Sequence, residues 1–389
     1  MAGNALPYYE INKLLWRWSK KDGARLVHDV SLSMDKAPPA LPKPPEPKVP
    51  HTPRPAPAAK MASDILKAAG AFSRFKKWLD TPDPPKPPKA KSEPKVETVP
   101  PFDIQEIPNA MRKEHMPIGA RLMERWFAGR LNYSPDNNGI DQNGNPYSDD
   151  MYDYDDIKLD WVLKHNRAKI KFDELIKSKI YDTAALKAAK GILESYKNHY
   201  GLLLSGRVCD DNNLKELHDH LEFQKMPVDT TPPEKIEDFL RFTKDNRGIP
   251  DDLYAALGGF AFYAAIAQAN FEKTPSGGRV VSITGIWVYV KNPFSFSDIG
   301  QSRSTYLGHW GMNGVTLAPY AFIESKVSEA PYLDYPVAVG DMRIKSNLYY
   351  PVHNNDFRAW QKKHNRGGDF ISFSDKKFVS LKKAIVVHL

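Results

Sequence analysis

The sequence predicts an α+β fold, with a mainly helical region over about 104–272 packed against an antiparallel β-rich region over about 279–389. Apolar residues recur at helical spacing through the first region; after Ser276-Gly277-Gly278 they alternate with polar ones, the period of a half-buried strand. Helices followed by strands, rather than interleaved with them, belong to α+β architectures. A third observation sets the rest of the chain apart. Residues 37–59 hold ten prolines and 81–101 hold eight, together 18 of 33, so a proline-rich, partly disordered N-terminal arm precedes the body.

The implied organisation is a docking segment at 1–36, a proline-rich linker at 37–60, an amphipathic helix at 61–80, a second linker at 81–103, the helical region at 104–272 and the β-rich region at 273–389. Proline fixes φ and donates no backbone hydrogen, so the linkers read as extended spacers; their PxxP spacings leave a ligand role open. Between them, Ile65, Leu66, Ala69, Phe72 and Phe75 form a helical stripe that must dock on the body, a partner or a membrane surface. The opening segment, with Leu14, Leu15, Trp16 and Trp18 before a Lys-Lys-Asp-Gly turn, reads as a second such module.

In the body, MPIGARLMERWFAGRL is a helix with Pro117 in its first turn. The segment NYSPDNNGIDQNGNPYSDDMYDYDD reads as a loop. Helical patterns follow in IKLDWVLKHNRAKIKFDELIKSK, TAALKAAKGILESYKNHYGLLL, NLKELHDHLEF and PPEKIEDFLRFTKD. DDLYAALGGFAFYAAIAQANF closes the helical half with 18 uncharged residues, Leu253 to Asn270, read as a central core helix with membrane insertion as the alternative. RVVSITGIWVYVKN then alternates as a strand, with Val281, Ile283, Trp287 and Tyr289 on one face; GDMRIKSNLYYPV and KKAIVVHL follow as strands.

Composition excludes several classes. The lone Cys209 permits no intramolecular disulfide and no cysteine-based zinc cluster. Residues 1–100 carry 18 Lys+Arg against 10 Asp+Glu, which accounts for the whole net charge of +8, so nothing in the body's balance indicates a nucleic-acid partner. There is no signal-peptide pattern, which places the chain in the cytoplasm of its producer. The loop from Asp136 to Asp156 holds seven aspartates without EF-hand spacing, and His218 and His220 sit on different faces of a helix. No metal is therefore assigned, and no cofactor is named.

The chemistry-bearing stretch is NDFRAWQKKHNRGGDFISFSD, 355–375. It reads as a helix capped by Asn354 or Asn355, a stop at Gly367-Gly368, and a strand on which Asp369 must share the core face with Ile371 and Phe373. Two readings stand. In one, Arg366 or the glycine amides simply satisfy Asp369; in the other, Gly367 and Gly368 form an anion-binding nest ringed by Arg358, His364 and Arg366. The Gly-Gly-Asp-Phe stretch is a decoy for diguanylate cyclases, whose glutamate it lacks. STYLGHWGMNG places Tyr306, His309 and Trp310 among glycines, either as a pocket rim or as an aromatic corner. The combined candidate site has His364, Asp369, His309 and His353 as catalytic groups and Arg358, Arg366, Gly367, Gly368 and Tyr306 as anion- or substrate-binding groups.

MPIGARLMERWFAGR, DDLYAALGGFAFYAAIA, WVYVKNPFSF, TYLGHWG and NDFRAWQKKHNRGGDFISFSD, in this order, resemble an uncharacterised bacterial family, a domain of unknown function, over roughly 104–389. Its members resemble cargo effectors of type VI secretion systems. The resemblance implies a secreted antibacterial toxin loaded through its N-terminal arm onto a spike protein or chaperone, exported into a target cell and neutralised by a cognate immunity protein. A membrane-perturbing toxin using 253–270 and a non-catalytic adaptor remain alternatives.

Overall fold

The structure, a computed structural model, describes residues 9–12, 17–20, 32–41, 102–135, 137–246, 249–275, 277–298, 304–317, 336–339 and 345–389. The 61–80 helix, most of both proline-rich linkers and the 340–344 part of an expected strand lie outside them. The described residues within 9–41 and 102–389 belong to one compact unit.

The α+β class holds, with helices mainly in the first half and strands mainly in the C-terminal half. Strands β1 (Tyr9–Asn12) and β2 (Arg17–Lys20) form an antiparallel hairpin, where the sequence suggested a second amphipathic module. Helices α1 (Ile107–Lys113) and α2 (Pro117–Ala128) open the body. Next come β3 (Tyr152–Ile157), α3 (Leu159–Val162), α4 (Asn166–Lys177), α5 (Thr183–Glu194), β4 (Gly201–Leu204), α6 (Leu214–Leu221), β5 (Glu222–Val228), α7 (Pro232–Asn246) and α8 (Asp252–Leu257). The C-terminal half holds β6 (Phe260–Lys273), β7 (Arg279–Phe294), β8 (Tyr306–Gly311), β9 (Gly314–Thr316), β10 (Val337–Ala338), β11 (Leu348–His353), α9 (Asn354–His364), β12 (Phe370–Ser374) and β13 (Lys377–His388).

Two sheets result. The larger runs β3-β12-β7-β6-β4; β13 pairs with the first half of the long β7, and β5 with the first half of β6. The smaller runs β2-β1-β10-β11-β8-β9, with β1 parallel to β10. The N-terminal hairpin is thus an edge of a body sheet. Residues 32–41 also lie on the body. The Ser33 amide donates to the Phe102 carbonyl at 2.8 Å, the Ile104 amide donates back at 2.9 Å, and the Ser33 hydroxyl reaches Asp103 at 2.9 Å.

Leu253 to Asn270 is not one helix. Helix α8 ends at Gly258, whose φ of +56° favours glycine, and β6 starts two residues later. At Gly259 a Cβ would lie 2.7 Å from the Asp229 carbonyl, so only glycine lets β6 pass that close to the end of β5. Because β6 is buried on both faces, no polar alternation marks it, and a continuous apolar run cannot by itself be told from a helix. Strand β3 similarly sits in the segment read as loop, β4 in a segment read as helix, and β5 begins at the end of another and runs on through residues given no element.

The β6–β7 register shifts at Gln268, which pairs with Gly285 while Ala269 pairs with Ile283. Val281 and Ile283 are therefore out of simple alternation with Trp287 and Tyr289. Beyond the shift, Ile286, Val288 and Val290 are fully buried on one face, and Trp287, Tyr289 and Lys291 share the other.

Candidate functional site

The predicted site residues fall into separate groups. Helix α9 carries His353 as its N-cap and His364 as its last residue, and eleven residues at 1.5 Å each put them about 16 Å apart. The combined centre is therefore corrected: its two halves cannot share one substrate. At the first end, Tyr306 Oη lies 2.5 Å from His309 Nδ1, its ring centroid is 5.6 Å from that of His353, and Asp356 accepts from the His353 amide at 2.7 Å. His309 is fully buried.

At the other end the groups hold the fold. Asp369 is 1% exposed and accepts from Arg358 twice (2.9 and 2.7 Å), from Trp126 Nε1 at 3.0 Å and from the Ser134 amide at 3.2 Å. Burial pushes its carboxyl up, against the lowering pull of Arg358. Arg358, not Arg366, is its partner. The expected anion nest is also corrected, because the Gly367 and Gly368 amides already donate to the Gly129 and Trp126 carbonyls at 3.1 and 3.0 Å. His364 Nε2 sits 2.7 Å from the Met34 carbonyl, and Arg366 donates to the carbonyls of Gly129, Ala128 and Pro39. These two side chains fasten residues 32–41.

A different cluster gathers chemistry on the face of the larger sheet that carries Trp287, Tyr289 and Lys291. Helix α6 lies over this face, started by Asn213, whose side chain accepts from the Lys215 and Glu216 amides. Its apolar stripe of Leu214, Leu217 and Leu221 is buried, and His218 occupies the same side, one turn after Leu214. The imidazole is wedged among the rings of Tyr263, Tyr289 and Phe373, with centroids at 4.9, 6.1 and 6.3 Å. Both of its nitrogens are engaged. Nδ1 is 3.0 Å from Tyr289 Oη and Nε2 is 3.0 Å from Lys291 Nζ.

Burial sets the protonation states. Desolvation, then the nearby Lys291 charge, lowers His218 to about 4, so it is neutral at pH 7. Desolvation also lowers Lys291, with Asp219 and Glu222 pulling the other way, and raises Tyr289 well above the usual phenol range. A neutral imidazole has one acceptor nitrogen, and an ammonium only donates. While Lys291 is charged it therefore donates to Nε2, and Nδ1–H donates to Tyr289. Once Lys291 loses a proton, its amine can accept from Nε2–H, and Tyr289 donates to Nδ1. The three groups form a relay whose polarity is set by one proton.

Lys291 faces a cleft of about 180 Å³. Lys215 and Asp219, bonded to each other at 2.6 Å, stand on one side, with Tyr152, Ile371, Phe373 and Gly139 opposite. Gly139 has φ +82°, and a Cβ there would press on Tyr152 Oη at 3.2 Å and Ile371 at 3.3 Å. Further along the same face is an open groove of about 550 Å³, where Trp287 Nε1 donates to Ser205 Oγ at 3.0 Å and Ser205 donates to Asp211 at 2.6 Å. It lacks a comparable set of perturbed groups. Among the described residues no cluster of His, Cys, Asp or Glu is placed to hold a metal.

Sequence reasoning missed this site, although signals were present. Lys291 continues the Trp287–Tyr289 alternation, which puts a lysine in register with an inward-facing row. His218 interrupts the leucine stripe of α6.

A family model described as a family of unknown function, DUF6402, matches residues 102–389. No curated protein and no solved structure gives a match.

Proposed function

The chain belongs to the family of unknown function DUF6402, and from that premise we propose that its body is an enzyme whose working group is the Lys291 amine. One observation carries this reading: a half-buried lysine lies 3.0 Å from a neutral imidazole at the wall of a cleft. Catalytic groups are found where burial and neighbours pull titratable side chains from their ordinary ranges, and a lysine lowered by desolvation is a proton acceptor nearer neutral pH. Lys291 takes a proton from a bound substrate. His218 relays it, and Tyr289 fixes the tautomer. The cleft admits a molecule of a few heavy atoms or the end of a larger one, and Lys215 favours a negative group on it.

The second part of the proposal is that this enzyme is an antibacterial effector exported by a contractile secretion system, with a spike protein or chaperone and an immunity protein as partners. It carries forward the resemblance to cargo effectors stated from the sequence, and the body's single cysteine is free. The pore-forming alternative would require 260–273 to leave the centre of a sheet; among the described residues no helix is long and apolar enough to cross a membrane.

The test is expression of the full chain in bacterial cytoplasm and, separately, with an added export signal, in the periplasm. Growth arrest in one compartment, abolished by Lys291→Met, is the expected result. Arrest that Lys291→Met leaves intact removes the assigned site. Unimpaired growth in both compartments removes the toxin reading and leaves the adaptor reading in its place.

A further inference from the structure

We propose that Lys291 is a covalent nucleophile that forms an imine with a small 2-oxo acid. This rests on the reading of Lys291 as the working group and adds the substrate class. Three features point to it. The amine lines a cleft too small for a polymer and large enough for a compact acid. A neutral imidazole nitrogen 3.0 Å away can hold the proton that the attacking nitrogen must give up. Lys215 stands in the same cleft, and its ammonium, held by Asp219 at 2.6 Å, has further N–H donors to offer a substrate carboxylate.

The step balances without any further reactant. The Lys291 ammonium passes one proton to His218 Nε2, and the freed lone pair forms the N–C bond while the carbonyl electron pair moves to oxygen. A second proton leaves the nitrogen for that oxygen, giving a carbinolamine. The proton held on His218 then joins the hydroxyl, the C–O bond breaks and water departs. The third proton stays on the protonated imine. Tyr289, 3.0 Å from Nδ1, serves the imidazole as it gains and loses its charge. His218 touches the reacting nitrogen; Tyr289 acts through it as a positioning residue.

The full chain is incubated with pyruvate and cyanoborohydride, which reduces protonated imines, and adducts are mapped by peptide mass spectrometry. Propanal replaces pyruvate in a second arm. The expected result is labelling of Lys291 about tenfold faster than of the exposed Lys177, with His218→Gln lowering that rate about tenfold and shifting its pH profile upward. Lys215→Gln is expected to slow labelling by pyruvate and leave propanal unaffected. Equal labelling of Lys291 and Lys177 in the folded wild-type chain overturns the imine. If Lys291→Met still abolishes growth arrest in that case, proton transfer at Lys291 stands and covalent chemistry falls. If Lys291 labels selectively and Lys291→Met keeps the arrest, the imine site stands and the toxin mechanism falls.

Discussion

Replacing Arg358 with methionine is expected to destabilise the body by about 3–5 kcal/mol, the loss seen when one partner of a buried ion pair is removed. Asp369 would keep Trp126 Nε1 and the Ser134 amide and lose both guanidinium bonds, leaving a carboxylate 1% exposed to water. The pair also joins distant parts of the chain. Trp126, on α2, packs edge-on against Phe357 of α9 at 5.4 Å and Phe296 at 4.9 Å, so the Asp369 carboxylate sits where α2, α9 and β12 meet. Urea unfolding followed by circular dichroism measures the loss. Adding Asp369→Asn to Arg358→Met is expected to recover part of it, because a neutral amide costs less to bury than an unpaired carboxylate. A loss well under 1 kcal/mol in the single variant would place the stabilisation elsewhere.

Arg167→Met is expected to cost a similar amount, with a pH dependence of its own. Arg167 donates to Asp229 at 2.6 Å and twice to Asp251, with Asp238 3.8 Å away. Burial raises Asp251, but hydrogen bonds from Arg167 and His165 outweigh it and hold the carboxyl well below the usual range. The stability it contributes is present above the unfolded-state value and lost as pH falls through the depressed one. Asp238 behaves oppositely. Burial, then Asp229, pushes it up to about 6, so its contribution is full below the unfolded value near 3.8 and lost as pH rises through about 6. The wild-type chain is therefore expected to gain about 1 kcal/mol from Asp238 between pH 8 and pH 5. Without Arg167 all three carboxyls rise. The variant's deficit should be largest at pH 8 and smallest near pH 5, as read from melting temperatures across that range. A deficit independent of pH would contradict the coupling.

The fold class was legible because the change of period after Ser276 is a backbone property, visible in one residue after another. So was the helix–turn–strand at 354–374, where Phe357, Trp360, Ile371 and Phe373 all turn inward. What sequence could not supply was any element whose environment is uniform on both sides. Strand β6, covered on both faces, shows neither period, and β3 hides within an aspartate-rich segment because its partner β12 lies more than two hundred residues away. The candidate residues of the 355–375 stretch misled for a related reason. Arg, His and Asp near glycines carry the same letters whether they meet a ligand or tie a helix to its neighbours. Only the three-dimensional partners of Asp369, His364 and Arg366 distinguish the two. Lys291 and His218, on a strand and a helix more than seventy residues apart, could not have been paired from spacing.

The most direct test of the Lys291–His218–Tyr289 relay is nitrogen-15 NMR of the histidine rings in the full chain between pH 5 and 9, with His218 assigned by loss of its signals in His218→Gln. The expected spectrum shows His218 uncharged across the whole range, with its proton on Nδ1 wherever Lys291 is charged. A His218 that gains charge with a midpoint near the ordinary imidazole value of about 6.5 would mean that neither burial nor Lys291 governs it, and the relay would not exist.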